Sequence, residues 1–294
     1  MGMSGSWTLH WVTALLICRA VAQYSSDLCN WRGSGLSHEP HLRDVEQVYL
    51  RCAQGSLEWL YPTGAIIINL RPNSEPLSRH TTGLHACIKP HTDSKGSQIY
   101  LERAGELKLL LTEEQQSQGE VHCFSLTEGA LFVEAAAHSD ISRRITTFQY
   151  ELVSTCPGVH IFPYLHQGPV TCKPCSDEEV LKAVCTSDFV AVGVFHSTAP
   201  GPGAHTVAVV ALSQLLRQKS SLFVWAGGRG RRWTGRVNVP TQCPLPPQRN
   251  QYILTGSVHF GEAWLGCAPR YRDFMDLYER AHEEGTNPCE INVY

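Results

Sequence analysis

Twelve cysteines in 294 residues limit this fold more than any other feature of the chain. Their role depends on compartment, because thiols stay reduced in a cytosol and oxidise to disulfides outside it. The N-terminus sets the expectation. Trp11-Val-Thr-Ala-Leu-Leu-Ile-Cys18 is a short apolar run, and Ala20-Val21-Ala22 follows it with small residues where a signal peptidase reads. The run is too short to cross a hydrocarbon layer of about 30 Å as a helix. Residues 1–22 are expected to be a secretory signal peptide, although no Lys or Arg precedes the run. The mature chain then begins at Gln23, is secreted to the extracellular space and keeps 11 Cys. No later stretch reaches 18 apolar residues, so no membrane span is expected.

The cysteines fall into two groups. Cys29, Cys52, Cys87 and Cys123 lie in a stretch of short β-like runs. These include Ala65–Leu70, Gln98–Leu101, Leu107–Leu111, Ala130–Glu134 and Thr147–Leu152, parted by Gly, Pro, Asn or Ser. Several short strands with turn residues between them predict a β-sandwich. Pairing Cys29 with Cys52 and Cys87 with Cys123 would close two local loops; four cysteines allow three connectivities. Six more, Cys172, Cys175, Cys185, Cys243, Cys267 and Cys289, follow residue 171, with Cys156 between the groups.

Val153–Thr171 carries three Pro and two Gly and reads as a connector. Charge changes across it: residues 23–152 hold 11 basic and 16 acidic side chains, residues 172–294 hold 12 and 11. Two domains are expected, 23–152 and 172–294, joined by 153–171. In the second, Ser176 and Glu179 form a capping box for a helix over 176–186, with Val180, Leu181, Val184 and Cys185 on one face. Strands are predicted at 189–195, 205–216, 221–225, 233–239 and 251–260. A last helix is predicted from Arg270 to Glu283, burying Phe274, Leu277, Tyr278 and Ala281 and ending at Gly285.

A formal net charge of −3 gives no basic excess for a nucleic-acid partner. No nucleophile elbow, phosphate loop or dinucleotide fingerprint occurs, so no enzyme activity and no cofactor are expected. The 14 His are scattered, without a metal-binding spacing on a helix, and no metal is expected. Cys172-Lys-Pro-Cys175 has zinc or redox spacing, but disulfide staples fit an oxidising compartment better. Glu58, Asp93 and Asp140 are candidate Ca²⁺ ligands at a loop end, and solvated carboxylates are the favoured reading. Gly227-Gly-Arg-Gly-Arg-Arg-Trp233 is a basic cluster that reads as a mobile loop, with Arg229, Arg231, Arg232 and nearby Arg236. A heparan-sulfate contact would use these four; a solvated hairpin tip is the blander reading.

The second cysteine group, a Cys-x-x-Cys and a third Cys opening a helix with three more at wide intervals, resembles the netrin-like (NTR) module. That module is an OB-type β-barrel with packed helices. Its pattern implies Cys172–Cys243, Cys175–Cys267 and Cys185–Cys289; six cysteines alone allow fifteen connectivities. It also occurs in metalloproteinase inhibitors, which use a free N-terminal Cys amine on zinc. Here the matching Cys172 is internal, its nitrogen is an amide, and inhibition by that route is not expected.

Longer segments carry a closer resemblance. Cys29-Asn-Trp-Arg-Gly-Ser-Gly-Leu36, Glu58-Trp-Leu-Tyr-Pro-Thr-Gly-Ala65, Asp140-Ile-Ser-Arg-Arg144, Cys185-Thr-Ser-Asp-Phe189, Phe260-Gly-Glu-Ala-Trp-Leu-Gly-Cys-Ala-Pro-Arg270 and Asn287-Pro-Cys-Glu290 are similar to the meteorin family. The resemblance spans nearly the whole mature chain. It implies a mainly β protein, a CUB-like sandwich followed by an NTR-like barrel. It further implies a growth-factor-like or cytokine-like signal acting through a cell-surface receptor. Neural or glial differentiation and neurite extension are the implied outputs, with metabolic or immune signalling beside them. The family framework has ten cysteines in five bonds, so Cys156 is the unpaired one. A monomer is expected, and a Cys156-linked dimer is the other reading.

Overall fold

The computed structural model describes residues 29–37, 45–71, 83–137, 142–154, 172–201, 205–227 and 232–292. The expected signal peptide, Cys156, Asp140, Arg229 and Arg231 lie outside the described residues. The fold is mainly β.

The first half builds two five-stranded sheets. One runs in the order β1 (Asn30–Ser34), β3 (Gln54–Leu60), β10 (Ile145–Ser154), β5 (Leu84–Pro90) and β8 (His122–Ser125). The other runs β2 (Val45–Leu50), β4 (Ala65–Leu70), β9 (Ala130–Ala135), β6 (Ser97–Arg103) and β7 (Glu106–Leu111). Side chains alternate across a strand. Ile66, Ile68 and Leu70 therefore enter the core while Ile67 and Asn69 face the other way. Leu57, Trp59, Ile88, Phe148 and Tyr150 from one sheet meet Leu50, Ile68, Ile99, Leu131 and Val133 from the other in a single cluster. The sheets thus pack face to face. Tyr150 also donates its hydroxyl to the Cys29 carbonyl at 3.0 Å, and a Cβ on Gly55 would lie 1.8 Å from that same oxygen. Only glycine lets the two segments approach there.

β10 runs two residues past the expected start of the connector, because Val153 is buried and Leu152, Val153 and Ser154 pair with β5. The remaining connector, 155–171, lies outside the described residues.

The second half begins with α2 (Asp177–Thr186), capped by Ser176 and Glu179 as the sequence predicts. The earlier one-turn α1 (Glu113–Gln116) was not predicted. A six-stranded sheet follows in the order β12 (His205–Gln218), β11 (Phe189–Pro200), β15 (Tyr252–His259), β16 (Glu262–Leu265), β14 (Arg232–Pro240) and β13 (Val224–Ala226). β12 also pairs with β14 from His205 to Leu212, so the hydrogen-bonding circuit of five strands returns on itself. The predicted strand at 221–225 is shorter. Ser221–Phe223 are outside β13, since Phe223 turns inward to meet the Phe189 ring edge-on at 5.3 Å.

α2 and α3 (Tyr271–Glu283) share a second cluster on the outside of this circuit, built on Val180, Val184, Val190, Ile253 and Phe274. Leu181, read from the sequence as part of the buried stripe, stays half-buried outside the cluster, and Ala183 contributes in its place. The Arg217 guanidinium holds the end of α2, donating to the carbonyls of Val184, Cys185 and Ser187 at 2.8–3.0 Å. These carbonyls have no partner within a helix, so a cation there satisfies them and complements the helix dipole.

Candidate functional site

Five disulfides fix this frame: Cys29–Cys52, Cys87–Cys123, Cys172–Cys243, Cys175–Cys267 and Cys185–Cys289. Cys87 and Cys123 are opposite residues on β5 and β8. The Cys175 and Cys185 bonds tie the two ends of α2 to the segment after β16 and to the C-terminal segment.

A turn of the second half meets the first half. His259, Phe260, Gly261 and Glu262 form a two-residue hairpin between β15 and β16, with φ of 49° at Phe260 and 76° at Gly261. Positive φ at both central positions is the requirement of the tight turns that suit hairpin twist. Glycine meets it freely, whereas phenylalanine does so only under restraint. The restraint comes from the first half. The Phe260 ring is 7% exposed against Cys87, Val153, Val121 and Cys123. The Glu151 carboxylate accepts the Phe260 N–H and lies 3.0 Å from His259 Nδ1. Beside it, Lys89 Nζ donates to Glu262 Oε1 at 2.7 Å, and Asn238 Nδ2 donates to Glu262 Oε2 at 3.0 Å. Two carboxylates, one from each half, thus bind across the boundary.

A groove of about 670 Å³ opens beside this contact. It is lined by Val207 and Val209 of β12, paired with Asn238 and Arg236 of β14. Leu222, Val224 and the Gly261–Ala263 turn also line it. His205 also lines it, its ring 5.2 Å from Trp264. Burial, the largest influence, lowers the His205 pKa; Glu262 opposes this and Lys89 adds to it. Trp225 of β13 and Trp233 of β14 are register partners and meet edge-on at 5.3 Å.

The basic cluster is split by the structure. Arg232 and Trp233 belong to β14 rather than to a loop, and Arg236 is exposed on the same strand beside the groove. Of the candidate Ca²⁺ ligands, Glu58 pairs with Arg32 at 3.3 Å and Asp93 sits 3.6 Å from His91, while Asp140 lies outside the described residues. Among the described residues no group of three His, Cys, Asp or Glu could hold a metal ion. Also among the described residues, no helix is long and apolar enough to cross a membrane. Sequence reasoning did not find Glu151, His259 or Lys89. Phe260 and Glu262 entered it only as part of a family-like segment.

Two family models match the chain. "Meteorin-like protein N-terminal domain" covers residues 31–159 and "Meteorin, C-terminal domain" covers residues 174–281. The Danio rerio meteorin-like protein is 54% identical over 99% of this chain and 100% of its own length. The chain belongs to the meteorin family. The human meteorin-like protein is 50% identical over 95% of the chain and 88% of its own length. Human meteorin is 39% identical, covering 95% of each. The family matches take in both sides of the turn contact, from Glu151 on β10 to Phe260 between β15 and β16.

Proposed function

We propose that this chain is a secreted, growth-factor-like or cytokine-like signalling protein that binds a cell-surface receptor. Its outputs would be neural or glial differentiation and neurite extension, or metabolic and immune signalling. The observation that carries this reading is the full-length likeness to meteorin-like protein and meteorin. In this reading residues 1–22 are a signal peptide. Residues 23–152 form a CUB-like domain, 153–171 a connector and 172–294 an NTR-like domain of OB-barrel type. The closed strand circuit with two helices packed outside supports the last assignment. Disulfide staples and the contact between the halves suit a stable recognition surface, and recognition rather than catalysis is the proposed work.

A second reading has its own observation. Arg232 and Arg236 stand on one strand, and the Arg229 and Arg231 segment connects that strand to β13. An anionic heparan sulfate chain would pair with these four side chains. Binding of the mature protein to intact cells, with and without heparinase, tests both. Saturable binding that survives the enzyme supports a protein receptor. Binding abolished by the enzyme, with earlier heparin elution when the four Arg become Ser, favours the matrix reading.

A further inference from the structure

The two outer faces of the first half differ in chemistry. The face of β1, β3, β10, β5 and β8 carries Arg32, Glu58, Gln149, Lys89 and Glu151, and part of it is covered by the β15–β16 turn. The face of β2, β4, β9, β6 and β7 carries an apolar, partly aromatic row bordered by Gln47, Asn69, Gln98, Glu134 and Glu102. Strand register places Ile67, Phe132, Tyr100 and Leu109 in one row across four strands. Tyr49 extends the patch at one edge and Leu107 at the other. Tyr49, Leu107 and Leu109 are 47–48% exposed. Tyr100 and Phe132 are in edge contact, with ring centroids 6.3 Å apart.

The polar groups on this face are partly paired within it. Tyr49 donates to Gln47 and Tyr100 donates to Gln98, each at 2.5 Å. A covering surface therefore meets phenol hydroxyls that already have an acceptor, which lowers the desolvation cost of contact. The register gives the face two charges, Glu134 and Glu102, one on either side of the Phe132–Tyr100 pair, and no Lys or Arg. Five strands about 4.8 Å apart, each about six residues long, give a footprint of roughly 24 by 20 Å. That is less than the roughly 800 Å² each partner commits to a standard interface. It matches an aromatic, apolar centre around which a partner adds its own polar rim.

We infer that this outer face is a protein-docking surface, and that its occupant presents an apolar patch bordered by Lys or Arg side chains. A second copy of this chain fits less well: face-to-face contact would set carboxylates in a seam without a cation. The inference rests on the receptor reading above and names the surface that reading would use.

The test is binding of labelled mature protein to responsive cells, by wild type and by Leu109→Glu, Tyr49→Ser, Glu134→Lys and Glu134→Gln. Leu36→Ser is the control, an apolar residue 73% exposed and outside these strands. Leu107→Ser is a milder substitute where Leu109→Glu does not fold, judged by near-ultraviolet circular dichroism and intact disulfide mass. Leu109→Glu and Tyr49→Ser are expected to weaken binding about tenfold or more. Glu134→Lys should weaken it more than Glu134→Gln, and the control should match wild type. Saturable wild-type binding that the face variants share overturns the surface and leaves the receptor reading standing. No saturable wild-type binding overturns both. A wild-type dimer that Leu109→Glu dissociates in sedimentation overturns the choice of partner in favour of a second copy.

Discussion

His259 Nδ1 lies 3.0 Å from Glu151 Oε2, joining residues 108 apart in sequence, and the two side chains are 10% and 11% exposed. The same carboxylate accepts the N–H of Phe260, so one side chain of the first half holds both the ring and the backbone of the turn. Removing the carboxylate takes away the acceptor of two buried hydrogen bonds, and a hydrogen bond to a charged group contributes about 1.5–3 kcal/mol. Glu151→Ala is expected to lower stability by about that amount. The check is a urea titration followed by calorimetry, in which the variant separates into two transitions as the halves lose their coupling.

Phe260 makes the usual order of truncations reverse. At an ordinary position glycine is worse than alanine. Here φ is 49°, where a Cβ is unfavourable and glycine is not. Both variants lose the packing against Cys87, Val153 and Cys123. Phe260→Gly should nonetheless remain about 1 kcal/mol more stable than Phe260→Ala, measured as the difference in unfolding free energy.

His122 gives a pH dependence of known sign. Burial, the larger influence, lowers its pKa, and Glu120 opposes the shift. A depressed folded-state pKa means that the unfolded chain binds the proton first. Stability from this site is complete above the ordinary His value of about 6.5 and is lost as pH falls below it. Between pH 7.5 and 5.5 the urea midpoint of wild type should fall further than that of His122→Gln. Equal falls would remove His122 as the source.

Arg217→Leu leaves the carbonyls of Val184, Cys185 and Ser187 without their shared donor. A hydrogen bond from a charged group contributes about 1.5–3 kcal/mol, and the three share one side chain. The expected loss is about 3 kcal/mol. Arg217→Lys should recover part of it, since an ammonium lacks the planar fork that reaches several acceptors. Hydrogen exchange at the C-terminal turn of α2 reads the effect locally.

Much of the fold was legible because its signals are local. Ser176 and Glu179 announce α2 within four residues, and the capping box is present in the structure. The run Ala65–Leu70 becomes β4 with its alternate isoleucines inward. Phe274 and Ala281 are buried on α3, and Gly285 takes its positive φ just after the helix. β1, β2, β3, β5, β8 and β16 were less legible, since short strands with mixed polar residues owe their pairing to neighbours distant in sequence. Leu181 was misplaced for a related reason: helical spacing gives a face, but only packed neighbours determine how wide that face is.

By itself the sequence determined the cysteine-rich, mainly β character and the family to which the chain belongs. Those depend on composition, spacing and long matching segments, all of which are one-dimensional. Tertiary structure alone decided that Glu151 meets His259, that Phe260 turns into the first half, and that Arg236 lines a groove with Val207 and Val209. It also decided that one outer sheet face is polar and partly covered while the other collects Tyr49, Tyr100, Leu107 and Leu109. Such relationships arise from register between strands far apart in the chain. A shift of one residue would turn each of those side chains to the opposite face.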